Sequence, residues 1–157
     1  MHPLFRPAQE QILLSVSVPR FFLSFLAGYF VASQLNWGIA EFLLNEWAMP
    51  RLNGFMREGA AAATGANIAK MSFGFLLPLL VIAFLQAIMI RPISWAVRAV
   101  SLAMLISLAA FYGTYTFISG WGNVDWGTLM VVATADMSCM IVGALVIGFL
   151  QEWRNIG

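Results

Sequence analysis

The apolar positions of this chain fall into four long runs separated by short polar stretches. The first extends from about Phe21 to Trp47 and the second from about Met71 to Ile90. The third covers about Trp95 to Ser119, and the fourth about Gly127 to Leu150. Each is near the ~20 residues that a helix rising ~1.5 Å per residue needs to cross a ~30 Å hydrocarbon core. The strands of a membrane barrel would instead give alternating segments of about ten residues, and none occur. The pattern predicts a single all-α domain over residues 1–157, a polytopic bundle of four transmembrane helices.

The polar punctuation agrees with that reading. "RPISWAVR" (91–98) is a tight turn in which Pro92 stops the second helix, and "SGWGNVDWG" (119–127) is a turn rich in Gly and Asn. Connections this short make the second, third and fourth spans antiparallel neighbours. Trp47, Trp95, Trp121, Trp126 and Trp153 stand at span ends, where amphipathic rings favour the headgroup level. Pro78, inside the second span, is expected to kink it and free the carbonyl of Gly74. The one long loop, residues 49–70, holds an Ala run that is expected to form a short interfacial helix. The first twenty residues are expected to lie along the membrane surface, and no signal peptide is expected.

Composition narrows the classes further. The chain is 61% hydrophobic and 10% charged, with a mean hydropathy of +0.85. Soluble domains carry about 25% charged residues, and a chain of this length lacks the interior to bury so much apolar surface. The formal net charge of +1 offers no basic excess for nucleic acid. The single cysteine, Cys139, and single histidine, His2, leave no internal disulfide and no Cys- or His-based metal site. No cofactor is expected, although bound lipid or pigment stays open. With the N-terminus inside, Arg6, Arg20, Arg91, Arg98 and Arg154 face the cytoplasm, and Arg51, Arg57 and Lys70 face the outside. The positive-inside rule then places both termini in the cytoplasm, in a bacterial inner membrane.

Candidate chemistry centres on Asp136. It lies ten residues beyond Trp126, about 15 Å below that interface and near the bilayer centre. A carboxylate there costs about 2.5–3.5 kcal/mol on insertion scales, so it must face protein or water and find a partner. Matching depths across antiparallel spans offers Ser107, Tyr112 and Tyr115 on the third span and Asn36 and Trp37 on the first. Glu41 lies about a turn nearer the surface, on one face with Gln34, Trp37 and Asn45. The neutral amides and threonines, Gln86 among them, read as helix-to-helix adhesive. Cys139 with Gly143, and Ala144 with Gly148, repeat at the small-xxx-small spacing that permits close helix approach. No His or Lys lies near Cys139 to activate it, so it reads as an inert thiol.

Trp37 and Trp47 in "NWGIAEFLLNEWAMPRLNG", with "VGALVIGF" (142–149) in the last span, carry a resemblance. The first span resembles that of an uncharacterised family of small bacterial four-helix membrane proteins. That family shows a Trp, an apolar stretch and a second Trp nine to ten residues on. Its usual Tyr-Ser/Thr-Pro after the first Trp is replaced here by Gly38-Ile39-Ala40. The resemblance implies the four-span layout and no activity.

Together these features point to a non-catalytic membrane protein, an accessory or scaffold subunit that contacts other membrane subunits or itself. The alternative is a proton- or cation-coupled carrier or channel, oligomeric because four short spans are too narrow for a pathway. In it, Asp136 couples, Glu41 admits and Tyr112 or Tyr115 gates. An enzyme using Asp136 and Glu41 as an acid/base pair ranks last, since no nucleophile–base pair, oxyanion donor or metal set is visible.

Overall fold

The computed structural model describes residues 16–52, 64–89 and 93–153, without the side chains of residues 42–45 and 49. All the regular structure among them is helical. Four helices are long and apolar enough to cross a membrane: α1 (Val18–Ile39), α2 (Gly65–Ile88), α3 (Trp95–Trp121) and α4 (Trp126–Glu152). The chain therefore has the build of an integral membrane protein. Of the first twenty residues, expected to lie along the surface, 1–15 fall outside the described residues and Val18–Arg20 instead begin α1; the Ala run of the expected interfacial helix also falls outside them.

Local chemistry sets most of the helix starts. Pro19 occupies the first turn of α1, where its missing N–H is not needed. Ser94 caps α3 by accepting from the Val97 amide at 3.4 Å. Asp125 caps α4, accepting from the amide of Thr128 at 2.6 Å and from its hydroxyl at 2.5 Å. The Asp125 carboxyl is exposed, and its pKa is held below the usual carboxylate value, first by the Thr128 hydroxyl and then by the Thr128 amide. α2 starts at Gly65, a turn and a half before the expected Met71, and runs through Pro78 as one helix.

Two segments depart from α-helical winding. α1 continues into a π-helical stretch, Ala40–Ala48, followed by a short 3-10 turn, Met49–Arg51. α3 contains a second π-helical stretch at Leu108–Gly113. Wider winding of this kind changes the phase of every side chain beyond it; it is rare, and it occurs frequently at functional sites.

α4 is the axis of the bundle. It packs along α1 and α3, both antiparallel to it, and also touches α2, which closes the other side. Half of α4's most apolar window is buried, against 22% for α1 and 28% for α3. Phe25, Leu79, Ile82, Leu102, Met140 and Ile147 anchor the main core. Ala48, Leu52, Leu129 and Val132 form a smaller cluster at the far end, where the π-helical extension of α1 meets the start of α4. At the opposite end, the start of α1, the end of α2, the start of α3 and the end of α4 come together.

The small residues of α4 set how near its neighbours stand. A methyl group on Gly143 would lie 2.9 Å from the Ala32 Cβ and 3.0 Å from the Gly28 carbonyl oxygen. One on Gly148 would lie 2.6 Å from Gln86 Oε1 and 3.2 Å from the Trp95 ring. Both approaches are closer than real side chains tolerate, so α1 packs on α4 at Gly143 and α2 and α3 pack on it at Gly148. Ala144 adds a backbone tie, its carbonyl accepting from Gln86 Nε2 at 3.1 Å.

Candidate functional site

Asp136 projects from the middle of α4 and is 8% exposed. α1 brings Asn36 to it, whose Nδ2 donates to Oδ1 at 2.7 Å. α3 brings Tyr115, whose hydroxyl donates to Oδ2 at 2.9 Å. Each carboxylate oxygen thus accepts from a neutral donor on a different helix. The three side chains tie both α1 and α3 to α4 at one level of the bundle. Cys139, one turn along α4, is a fully buried free thiol beside this layer.

The π-helical stretches flank the Asp136 layer along the bundle axis. Leu108–Gly113 immediately precedes Tyr115, on the side of the chain termini, while Ala40–Ala48 begins one turn beyond Asn36, on the far side. The shifted phase of α3 presents Tyr115 to Asp136. Tyr112 instead pairs with the Thr134 hydroxyl at 2.7 Å. Glu41 stands exposed on the π-helical extension, and no described hydrogen bond joins it to Asp136. Of the four polar candidates, then, Asp136 and Tyr115 meet, Tyr112 pairs with Thr134, and Glu41 stands exposed.

A second polar layer occupies the end of the bundle where α3 begins and α4 ends. Arg98, only 2% exposed, donates through Nη2 to Glu152 at 2.7 Å. Beside it, Gln151 Nε2 donates to the Ser24 hydroxyl at 3.4 Å and to the Ala83 carbonyl at 3.2 Å. Arg98 Nε and Nη1, Gln86 Oε1 and Gln151 Oε1 are buried with no hydrogen-bond partner. The sequence places Arg98 in the 91–98 turn as a cytoplasm-facing charge, whereas the structure buries it against Glu152. The same depth count that located Asp136 would have found them, because Arg98 lies one turn inside Trp95 and Glu152 immediately precedes Trp153.

Two grooves open on the sides of α1 and α4. One, of about 700 Å³, lies beside the Asp136 layer and is lined by Gln34, Gly38, Val131, Thr134, Ala135 and Ser138 among others. The hydroxyls there are satisfied within α4: Thr134 donates to the Met130 carbonyl and Ser138 to the Thr134 carbonyl, each at 2.8 Å. Gln34 is exposed in this groove and makes no hydrogen bond with any described residue. The other groove, of about 520 Å³, lies at the level of the second polar layer, between the start of α1 and the end of α4.

Among the described residues, no cluster of three or more His, Cys, Asp or Glu side chains is placed to hold a metal ion. No protein-family model matches the chain, and neither a curated protein nor a solved structure matches it at a significant level.

Proposed function

We propose that this protein is a non-catalytic membrane protein, an accessory or scaffold subunit that seats a transmembrane helix of another subunit in the α1–α4 groove. The observation that carries the reading is Gln34. Its amide faces the bilayer one half-turn from the Asp136 layer, exposed and without a partner among the described residues. An amide in hydrocarbon without a hydrogen bond is costly, by about 4–8 kcal/mol on the least forgiving transfer scale. A neighbouring helix removes that cost, and interhelical polar pairs in model peptides contribute about 1–2 kcal/mol. Gly38 lies one turn further along the same groove with nothing packed against it, so a partner backbone can approach closely there.

Asp136 fits this reading as an internal fastener, because both of its oxygens are already engaged inside the chain. Purification from the source membrane in mild detergent, followed by native mass spectrometry, tests the proposal. A defined partner subunit is expected, and Gln34→Leu is expected to weaken its retention about five- to thirty-fold, the equivalent of about 1–2 kcal/mol. A monomer retaining no partner, or a partner indifferent to Gln34→Leu, overturns it.

The two π-helical stretches flanking Asp136 favour one second reading, an oligomeric proton- or cation-coupled carrier acting through that residue. Liposome flux decides it: loss of flux in Asp136→Asn supports the carrier, and unchanged flux ends it.

A further inference from the structure

We propose that the groove between the start of α1 and the end of α4 binds the phosphate group of an anionic phospholipid. Arg20 is the centre of the site. Its Nε donates to the Leu150 carbonyl at 2.8 Å, one of the last-turn carbonyls of α4 that has no partner within its own helix. That bond pins a half-buried guanidinium across the gap between two helices. The two terminal nitrogens, Nη1 and Nη2, make no hydrogen bond with any described residue, and Arg20 forms no ion pair with one. The nearest buried acid in sequence to Leu150, Glu152, is committed to Arg98 on the α3 side. Among the described residues, Arg20 is therefore an oriented cation without a counter-charge.

Its surroundings match an amphiphile better than a soluble ion. The groove of about 520 Å³ is lined above by Ser17 and Pro19 and below by Leu23 and Leu150, with Trp153 at its edge. The Ser17 hydroxyl, just before α1, makes no hydrogen bond with any described residue, so its O–H is available to donate. Trp153 is 60% exposed and Leu23 is 68% exposed. Trp153 marks the headgroup level. A phosphate at that level meets Arg20 and Ser17, while an acyl chain descends over Leu23 and Leu150. Basic pockets between transmembrane helices at the interface bind anionic headgroups in this manner. A zwitterionic lipid carries its own cation beside the phosphate and gains less from Arg20.

The test uses the full-length protein, delipidated in mild detergent and titrated with phosphatidylglycerol or phosphatidylcholine of identical chains, with bound lipid counted by native mass spectrometry. Phosphatidylglycerol is expected to bind about five-fold more tightly, the equivalent of one well-placed basic side chain. Arg20→Gln is expected to bring the two lipids to parity without weakening phosphatidylcholine. Equal binding of both lipids to the unsubstituted protein overturns the proposal, and that arm needs no variant to fold. A preference that survives Arg20→Gln overturns it as well. Displacement of phosphatidylglycerol by millimolar inorganic phosphate would assign the site to a soluble anion instead, and would equally overturn the lipid.

Discussion

Asp136 and Glu152 sit on the same helix, sixteen residues and about 24 Å apart, and both are buried. Their surroundings solve one problem in two ways. Glu152, at the end of the span, takes a full counter-charge from Arg98. Asp136, in the middle, takes an amide and a phenol. The difference follows from depth. Arg98 is one turn inside an interfacial Trp, where snorkelling and water lower the cost of a guanidinium. At the centre, a second charge would add about 2.5–3.5 kcal/mol of insertion cost. Neutral donors satisfy the carboxylate oxygens there without adding that cost. The end layer is thus held by charge and the middle layer by hydrogen-bond geometry.

The largest expected effect breaks the end layer. Arg98→Met leaves Glu152 buried without its guanidinium, and removing one partner of a buried pair costs about 3–5 kcal/mol. Replacing both, as Arg98→Met with Glu152→Leu, is expected to recover most of that loss, since apolar substitutes for a buried pair are often neutral. Denaturation in mixed micelles gives both values. A single variant that loses less than about 1 kcal/mol would mean that the pair behaves as a solvated surface bridge, and the contrast with Asp136 would vanish.

The sequence carried the four spans because apolar runs of this length have no other stable placement. Depth counting from tryptophans also placed Asn36 and Tyr115 among the candidates for Asp136, since rise per residue converts directly into depth. It could not choose between Tyr112 and Tyr115. That choice depends on the π-helical stretch Leu108–Gly113, whose wider winding rotates α3 and leaves no mark in hydrophobic periodicity. The face shared by Gln34, Trp37, Glu41 and Asn45 meets a related limit. A face computed at 3.6 residues per turn does not survive the π-helical winding that begins at Ala40. Arg98 illustrates a third limit, because treating charges near a turn as solvated hides any that fold back into the bundle.

A smaller effect sharpens the description of the middle layer. Asp136→Leu removes two acceptors and leaves the Asn36 amide and Tyr115 hydroxyl unsatisfied, at a cost of about 1–3 kcal/mol. Asp136→Asn keeps an oxygen for Asn36 and offers an amide to Tyr115, and is expected to cost less than about 1 kcal/mol. Tyr115→Phe removes one interhelical bond, worth about 0.6 kcal/mol on average and about 1.7 at most. If Asp136→Asn proves as damaging as Asp136→Leu, charge and not geometry holds the layer, and the two ends of the comparison become one.

The smallest effect comes from a third carboxylate, at the N-cap of α4, which supplies the solvated reference. Asp125 is exposed, and its bonds from the Thr128 hydroxyl and amide hold its pKa below the ordinary carboxylate value. A depressed carboxyl stabilises the folded state fully above its unfolded pKa, and loses that contribution as pH falls through the lower folded value. The cap is therefore expected to remain intact at neutral pH and to loosen only under acid conditions below the usual carboxylate range. Hydrogen exchange of the Thr128 amide, normalised to its intrinsic rate at each pH, reads this directly. Asp125→Ala is expected to raise that exchange several-fold at neutral pH, and Asp125→Asn much less, because an Asn side chain also accepts at an N-cap. Asp125→Asn should also abolish the acid dependence while preserving the cap. If the dependence persists in that variant, the titrating group is another carboxyl, and Asp125 no longer serves as the solvated standard for Asp136 and Glu152.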